Sequence, residues 1–506
     1  MADTKREIER KFEFSKAKSA RRGVPDLTGT AAIAAVSDQG TVDLDAVYYD
    51  TPDQRLAADG LTLRRRTGGA DEGWHLKLPV SPGVRDEIGA ALSDTVPPSL
   101  AALVRSRVRG AGLQPQVRLL SSRRVSHLLD ADGALLAELS TDAVLAERGE
   151  ATAAWTEVEV ELADGVDPEL LDAVEKTFRK AGLRVSDAPS KLARALAETA
   201  AEPPARPESG GPEGTTGAHV LAYLREQRDA LVAQDPAVRR GLPDSVHQMR
   251  VASRRIRSAF KTYRKVIDRA ATDPIGEELR WLAAELGVDR DQEVLLERIQ
   301  NHLGELPRTL MTGPVRSRLR TWNTARRTGS RRRVLAALDG KRYLVLLDAL
   351  DAVLETPPLK KAAARSPEAV LPKAVLRDYE RLAARVGTAL TQEPGHERDL
   401  ALHEARKAAK RARYAAEAAA PALGKPAEHL AKSVKKVQSL LGDHQDSVVA
   451  REALRGLAVQ ATGAGESAFT WGVLYAREEA LAERSERELP DIWAEASDPA
   501  LRAPLE

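Results

Sequence analysis

The sequence has no cysteine and few aromatic residues, and both absences restrict what the protein can be. Because none of its 506 residues is cysteine, the chain forms no disulfide and offers no thiolate as metal ligand or nucleophile. Aromatic residues make up only 4%, which leaves few rings on which nucleic-acid bases could stack. Long apolar runs are also missing, so the sequence predicts neither a signal peptide nor a membrane-spanning helix, and a cytoplasmic protein is the default.

An excess of charge of one sign is missing as well. The formal net charge is only +2, although 30% of the residues are charged. A binding surface for anions must therefore come from local clustering of basic residues. The length of 506 residues exceeds what one hydrophobic core normally serves, so we expect at least two domains.

Alternation of polar and apolar residues dominates the first 200 residues and predicts β-strands. The segment 201–217, EPPARPESGGPEGTTG from Glu202 onward, is rich in Pro, Gly, Glu and Ser and is typical of a flexible linker. Helical periodicity takes over from residue 218 to residue 497, and residues 498–506 form a tail. The sequence thus predicts an α+β protein of two domains, with strands in the first and only helices in the second. The alternating windows are Glu7–Phe14, Asp43–Tyr49, Leu61–Arg66, Trp74–Pro79, Val84–Ala90, Arg123–Leu129, Leu135–Asp142 and Trp155–Leu162.

An internal repeat runs through the helical half. The segment HQMRVASRRIRSAF, which begins at His247, matches HEARKAAKRARYAA, which begins at His403. The segment LGVDRDQEV from Leu286 likewise matches LGDHQDSVV from Leu441. The two offsets nearly agree (403 − 247 = 156 and 441 − 286 = 155), so we interpret this half as a duplicated unit that forms two pseudo-symmetric helix bundles.

The strands of the first half carry acids and bases on one face. In the run EIERKFEF, Glu7, Glu9 and Lys11 share a face because side chains alternate along a strand. A sheet with one solvated face would explain any single strand. Arg and Glu predominate on one strand after another, however, which favours a closed or strongly curved sheet with a charged interior. Such an interior would suit a divalent cation together with a polyanion.

These residues, in this order, resemble the CYTH family, the triphosphate tunnel metalloenzymes. The resemblance covers about residues 1–200 and includes Glu-x-Glu-x-Lys at Glu7, the segment Tyr48–Arg66, the run Gly73–Pro79, and Ser190 with Lys191. It implies an eight-stranded antiparallel β tunnel with helices, and metal-dependent chemistry on triphosphates with Mg²⁺ or Mn²⁺. The implied metal ligands are Glu7, Glu9, Glu157, Glu159 and Glu161. The other implied site residues are Lys11, Arg64, Arg66, Lys77, Arg85, Glu87, Arg124 and Lys191. Of the adjacent pair Arg123 and Arg124 only one can face inward, and Arg124 is preferred here.

Basic stripes mark the two copies of the helical repeat. At about 100° per residue, His247, Arg250 and Arg254 fall on one helix face, and no acid separates Arg250 from Lys261 in the sequence. A solvated helix face is the simpler reading, but solvated faces usually intersperse glutamate for pairing. The half resembles the CHAD domain over about residues 218–497, which implies binding of inorganic polyphosphate. The implied contacts are His247, Arg250, Arg254, Arg255, Arg257, Lys261, His403, Arg406, Lys407, Lys410, Arg411 and Arg413.

The leading hypothesis is therefore a metal-dependent hydrolase of inorganic triphosphate or short polyphosphate, joined to a polyphosphate-binding helical domain. A non-enzymatic polyphosphate-binding protein, associated with polyphosphate granules, is one alternative. Adenylate cyclase or thiamine triphosphatase activity is another, because no motif in the sequence reports a base or thiazolium pocket. Nucleic acid is disfavoured as a partner by the scarcity of aromatic residues beside the basic stripes. The sequence leaves the oligomeric state open.

Overall fold

The computed structural model describes residues 3–15, 23–199, 212–327 and 329–506. The chain divides into two compact units, Met1–Arg206 and Pro207–Glu506. Most of the predicted linker, residues 201–211, lies outside the described residues, and its last two residues already belong to the helix that begins at Thr216. No helix in the described ranges combines the length and the apolar character that a membrane span needs.

The first unit is a closed antiparallel barrel of eight strands, which confirms the predicted fold of this half. Strand β1 pairs with β5 through its first half and with β8 through its second half, and this double pairing closes the sheet. A short ninth strand adds to the end of β1. The strands are β1 (Asp3–Phe14), β2 (Ala35–Asp50), β3 (Thr62–Thr67), β4 (Gly73–Ser81), β5 (Val84–Ala90), β6 (Gln114–Leu129), β7 (Leu135–Arg148), β8 (Ala151–Leu162) and β9 (Leu183–Val185).

The apolar core of this unit lies outside the barrel wall, beneath helices that cover it. Phe12 of β1 packs edge-on against Phe178, with ring centroids 4.8 Å apart. On another side, Trp74 and Leu76 are buried together with Val104. Because the apolar face of each strand packs in these outer cores, the polar face lines the interior. The covering helices are α1 (Arg55–Ala58), α2 (Pro98–Val108), α3 (Glu169–Ala181) and α4 (Lys191–Glu198).

Helix α3 begins and ends at residues that suit those positions. The Asp167 carboxylate accepts a hydrogen bond of 2.9 Å from the Glu169 N–H, and so satisfies a backbone donor of the first turn. Gly182 ends the helix with a left-handed φ of 87°, a conformation that glycine adopts without steric cost. The helix buries Leu171, Val174 and Phe178 against the barrel.

In the described residues of the second unit the regular elements are all helices, as predicted, apart from one isolated β-bridge between Ile267 and Leu359. Its helices are α5 (Thr216–Arg240), α6 (Ser245–Thr262), α7 (Arg269–Glu305), α8 (Val315–Arg327), α9 (Ser330–Asp339), α10 (Lys341–Glu355), α11 (Pro367–Thr391), α12 (His396–Leu423), α13 (Lys425–Gly463) and α14 (Phe469–Ala496). The sequence repeat appears as two helical series in the same order, α5 to α8 and α11 to α14. Helices α6 and α12, which carry the two basic stripes, pack against each other.

Two apolar cores stabilise the helical unit. The larger one joins α5, α6, α7, α9 and α10 to α11, α12 and α13, and it includes Phe260, Tyr343 and Tyr379. The smaller one gathers the second half of α7, α8, the second half of α13 and the start of α14 around Trp322 and Trp471. The predicted tail, residues 498–506, forms two short 3-10 turns, and Leu505 is buried in the larger core.

Candidate active site and basic cluster

The barrel encloses a cavity of about 390 Å³ that is lined by side chains of both charges. Alternation in β1 turns Glu7, Glu9 and Lys11 inward, as their spacing predicts. The structure brings most of the other predicted residues to the same cavity, from β3, β4, β5, β8 and the start of α4. They are Arg64, Arg66, Lys77, Arg85, Glu87, Glu159, Glu161 and Lys191.

Three buried carboxylates converge at one side of the interior. Oxygen atoms of Asp142, Glu157 and Glu159 all lie within 4.8 Å of one another. The ammonium group of Lys191 reaches into this group, at 2.9 Å from Asp142, 2.7 Å from Glu157 and 2.6 Å from Glu159. Ser190 caps α4 by accepting a hydrogen bond from the Ala193 N–H, and this cap holds Lys191 at the first position of the helix.

The carboxylates and ammonium groups stabilise each other in their charged forms. Burial by itself would disfavour charge on Lys191, but Glu159, Glu157 and Asp142 outweigh it and raise the pKa of Lys191 above its usual value. Burial is likewise outweighed at Glu159, whose pKa is held well below its usual value by Lys11, Lys191 and Arg123. The Lys11 ammonium lies 2.8 Å from Glu159 and 3.3 Å from Glu9.

A second group of charges surrounds Glu7, in the half of β1 that pairs with β5. Burial raises the pKa of Glu7 to about 7, even though the Lys77 ammonium lies only 2.6 Å from its carboxylate. Glu87 faces the same region and accepts contacts from His75 Nδ1 at 3.0 Å and from Arg64 at 3.5 Å. Despite burial, these neighbours hold the pKa of Glu87 well below its usual range. His75 also lines the cavity as part of this group.

The prediction of Arg124 as an inward residue is wrong, and its neighbour takes that place. The Arg124 side chain is 66% exposed and pairs with Asp38 outside the barrel, at 2.7 Å. Arg123 instead lines the cavity, where it grips Asp142 through two hydrogen bonds of 2.7 and 2.8 Å and reaches Glu159 at 3.1 Å. The register decides the choice, because Arg123 stands opposite Asp142 in the β6–β7 pair.

Other residues of the interior were not assigned a role from the sequence. Asp142 is completely buried at the centre of the acidic group. The Tyr48 phenol lies 3.4 Å from an Arg64 guanidinium nitrogen, which donates to it. Asp71, from the turn between β3 and β4, pairs with Arg66. Residue parity within strands β2 and β7 could have identified Tyr48 and Asp142, but nothing in the sequence indicates that the turn folds back over the cavity.

The acidic residues fit a hard divalent cation. The group of Asp142, Glu157 and Glu159 supplies only carboxylate oxygens, which are the ligands that Mg²⁺ and Mn²⁺ prefer. One oxygen each of Glu157 and Glu159 is buried without a hydrogen bond of good geometry, although ammonium groups lie near both. Glu9 belongs to the same region through Lys11. The acids that we predicted as metal ligands thus face the interior, and Asp142 joins them.

The helical unit brings basic side chains of both repeats together. Arg250 and Arg254 on α6 meet Arg406 and Lys410 on α12, and we call these four residues the basic cluster. The pKa of Lys410 is lowered to about 7, chiefly by burial. The charges of Arg406, Arg254 and Arg250 lower it further, and the charge of Asp446 opposes them. Among the described residues, no carboxylate forms an ion pair with Arg254 or Lys410. The cluster therefore holds like charges at close range without full compensation.

The remaining predicted cations lie around this cluster in different environments. Arg255 and Arg413 both pair with Glu417, at 3.1 and 3.3 Å, and both contact the Tyr414 ring. Arg411 pairs with the buried Asp378 at 2.9 Å. His247 lies on α6 one turn before Arg250, and His403 contacts Gln445. Among the others, Lys407 is exposed and pairs with Glu404. Burial, and then the charges of Arg257 and Arg411, lower the pKa of Lys261.

Comparisons with known proteins agree with this arrangement. The CYTH domain family matches residues 5–196 and the CHAD domain family matches residues 222–455. The uncharacterized protein Rv2226 of Mycobacterium tuberculosis, strain H37Rv, is 40% identical over 511 aligned residues, which cover 96% of this chain and 94% of the relative. The barrel is thus a CYTH domain and the helical unit is a CHAD domain. The chain belongs to the family of proteins in which a CYTH domain precedes a CHAD domain.

Two solved structures resemble this chain over part of its length. PptA from Streptomyces chartreusis is 24% identical with a TM-score of 0.47, over 55% of this chain and 99% of that chain. The CHAD domain from the plant Ricinus communis is also 24% identical, with a TM-score of 0.40, over 59% of this chain and 95% of that chain.

Proposed function

We propose that the barrel hydrolyses inorganic triphosphate, or the ends of short polyphosphate, with Mg²⁺ or Mn²⁺, and that the basic cluster binds inorganic polyphosphate. The observation that carries the proposal is the cavity that holds acidic and basic side chains together inside a closed barrel. A solvated sheet face would not bury Glu7, Glu9, Asp142, Glu157 and Glu159, since burying a carboxylate is costly unless it is paired or binds a metal.

The interior offers separate groups for the anion and for a metal. Basic side chains from β1, β3, β4, β5, β6 and α4 line the cavity, and they can neutralise the phosphate oxygens of a condensed phosphate. A divalent cation, held by Glu9, Asp142, Glu157 and Glu159, would supply Lewis-acid polarisation of the phosphate. The bond to be broken joins the terminal phosphorus to a bridging oxygen, and water is the attacking group.

The protein's own residues would then act by positioning and by electrostatic stabilisation. Arg64, Arg123 and Lys11 are fixed by ion pairs before any substrate arrives, so little reorganisation accompanies the charge shift toward the leaving phosphate. Glu7, whose pKa is about 7, can hold a proton near neutrality and is placed among Lys77 and Glu87 to exchange it. No covalent nucleophile is required.

A first experiment offers triphosphate, long-chain polyphosphate, thiamine triphosphate and ATP side by side, with Mg²⁺ and with Mn²⁺. We expect phosphate release from triphosphate that stops in excess chelator. The Glu9→Gln variant should lose the activity by about 10³-fold, because it removes a charged ligand from the site, whereas the exposed Glu150→Gln should match the wild type. Activity that persists with chelator would contradict the metal mechanism, and binding without turnover would identify a non-enzymatic polyphosphate-binding protein.

A second experiment separates the two domains. Reversing His247, Arg250, Arg254 and Arg257 to glutamate should abolish retention on long-chain polyphosphate, since it replaces four cationic or titratable contacts by repulsive charges. Triphosphate hydrolysis in the barrel should continue at the wild-type rate. Binding of long chains would also bring the protein to polyphosphate granules in cells. Unchanged retention of the reversed variant would refute the role of the basic stripe.

A further inference from the structure

Two glycines lie directly beneath arginines of the basic cluster. Gly287 of α7 faces the Arg250 guanidinium, and a Cβ atom added there would come within 3.1 Å of one of its terminal nitrogens. Gly442 of α13 faces Arg406, and a Cβ atom there would lie 3.7 Å from its Nε atom. Both glycines are interior to long helices, where glycine lowers stability relative to alanine.

Each glycine belongs to a three-residue unit that the two repeats share. One helical turn after Gly287, Asp291 pairs with Arg250 at 2.8 Å. One turn after Gly442, Asp446 lies 4.0 Å from Arg406. The arginine comes from α6 or α12, and the glycine and aspartate come from the helix that follows it. The same arrangement thus occurs twice, on the two halves of one cluster.

We infer that Gly287 is a positioning residue for polyphosphate binding, because it leaves the space in which the Arg250 guanidinium lies against the neighbouring helix and faces the anion. The inference rests on the proposed binding of polyphosphate by the basic cluster. A larger side chain at either position would push the arginine end group away from the helix. The guanidinium would move before the helix does, since it is the flexible end of a long side chain.

The two positions should differ in sensitivity. The space at Gly287 is the tighter one, and Asp291 also lies 3.5 Å from the added Cβ atom. Arg250 is 16% exposed and is confined between this helix and its own. At Gly442 the nearest arginine atoms are at ordinary contact distance, so an alanine there meets no obstruction. We therefore expect alanine to weaken polyphosphate binding at Gly287 and to have little effect on it at Gly442. Leucine should weaken binding at both positions.

The test measures the affinity of the full-length protein for long-chain polyphosphate. Gly287→Leu should weaken binding about tenfold, the loss expected for one charge-assisted contact, and Gly287→Ala about threefold. The slope of binding against salt should fall by roughly 0.7, as for one lost contact with a flexible polyanion. Gly276→Ala and Gly456→Ala are the matched controls, because no atom lies within 4 Å of the added methyl group on either helix. Thermal unfolding of every variant checks that the fold is retained.

A double-mutant cycle with Arg250→Ala makes the assignment specific. If the glycine acts through the arginine, Gly287→Leu should have no further effect once Arg250 is alanine. Equal effects in both backgrounds would overturn the inference and indicate a general disturbance of the helix. If Arg250→Ala itself leaves polyphosphate binding unchanged, the proposed function of the cluster fails instead. If Arg250→Ala weakens binding but Gly287→Leu does not, only the positioning role fails.

Discussion

Lysines in the two domains are held in opposite electrostatic states. In the barrel, burial is outweighed by carboxylates, which raise the pKa values of Lys11 and Lys191 above their usual value. In the helical unit, burial and three arginine charges lower the pKa of Lys410 to about 7. Lysines and arginines cluster in both domains, but Lys11 and Lys191 lie 2.8 and 2.9 Å from carboxylates, whereas no carboxylate among the described residues forms an ion pair with Lys410.

The difference indicates what each domain is suited to bind. Paired charges in the barrel surround a cavity that a cation and an anion can enter together. The cation would take the place of a basic side chain beside the carboxylates, and the anion would take the place of a carboxylate beside the basic side chains. The basic cluster carries charge of mainly one sign, so an incoming polyanion relieves repulsion that the free protein tolerates. A metal is therefore expected to be essential for the barrel and dispensable for the cluster.

The largest effect is expected for the paired charges inside the barrel, and two adjacent arginines allow it to be measured. Arg123→Ala should reduce triphosphate hydrolysis by about 10²- to 10³-fold, because it removes a preorganised charge from the cavity. Arg124→Ala should leave the rate unchanged, because the Arg124 side chain lies outside and pairs with Asp38. Steady-state rates at saturating metal compare the two variants. Equal losses would contradict the inward placement of Arg123.

An intermediate effect tests the unpaired state of Lys410. Below a pH of about 7 this lysine is charged in the free protein, and above that pH it is neutral until a polyanion raises its pKa. Binding then takes up a proton, so the affinity for polyphosphate should fall as the pH rises above 7, by up to about tenfold per pH unit. The charged groups that face Lys410 are Arg406 on its own helix, Arg250 and Arg254 on α6, and Asp446 on α13.

The Lys410→Arg variant provides the control for this pH dependence. Arginine stays charged throughout the range, so the variant should bind polyphosphate with an affinity that changes less between neutral and alkaline pH. Titrations of both proteins with the same polyphosphate cancel the ionisation of the ligand. Identical pH profiles would show that Lys410 does not titrate in binding.

The smallest expected effect concerns Asp291, a carboxylate that lies close to the basic cluster. Asp291→Asn should strengthen polyphosphate binding about two- to fivefold, because Asp291 pairs with Arg250 at 2.8 Å and competes with phosphate for it. Asp446→Asn should have less effect, because Asp446 is 4.0 Å from Arg406. Affinity measurements at low salt would resolve the difference. Weaker binding by Asp291→Asn would mean that this carboxylate orients Arg250 rather than competing for it.

Residue alternation was sufficient to predict most of the barrel. Val84–Ala90 was predicted and observed as a strand with the same bounds, and Glu7, Lys77 and Glu87 face the interior as their parity indicates. Strands β2 and β6 are much longer than their predicted windows. The first half of β2 is mostly exposed and contains few alternating apolar residues. In the first half of β6, Val117 and Leu119 do alternate and are buried against Leu192 of α4.

The sequence by itself determined which two domains the chain forms, their order, and the face of each clearly alternating strand that carries charge. These properties are local, since they follow from the period of a strand or a helix. Tertiary structure alone decided between Arg123 and Arg124, because polar residues occupy both faces of β6 there and the pairing with β7 sets the register. It also decided that α6 and α12 meet. Which charges become neighbours depends on contacts between residues far apart in the chain, and no local pattern encodes those contacts.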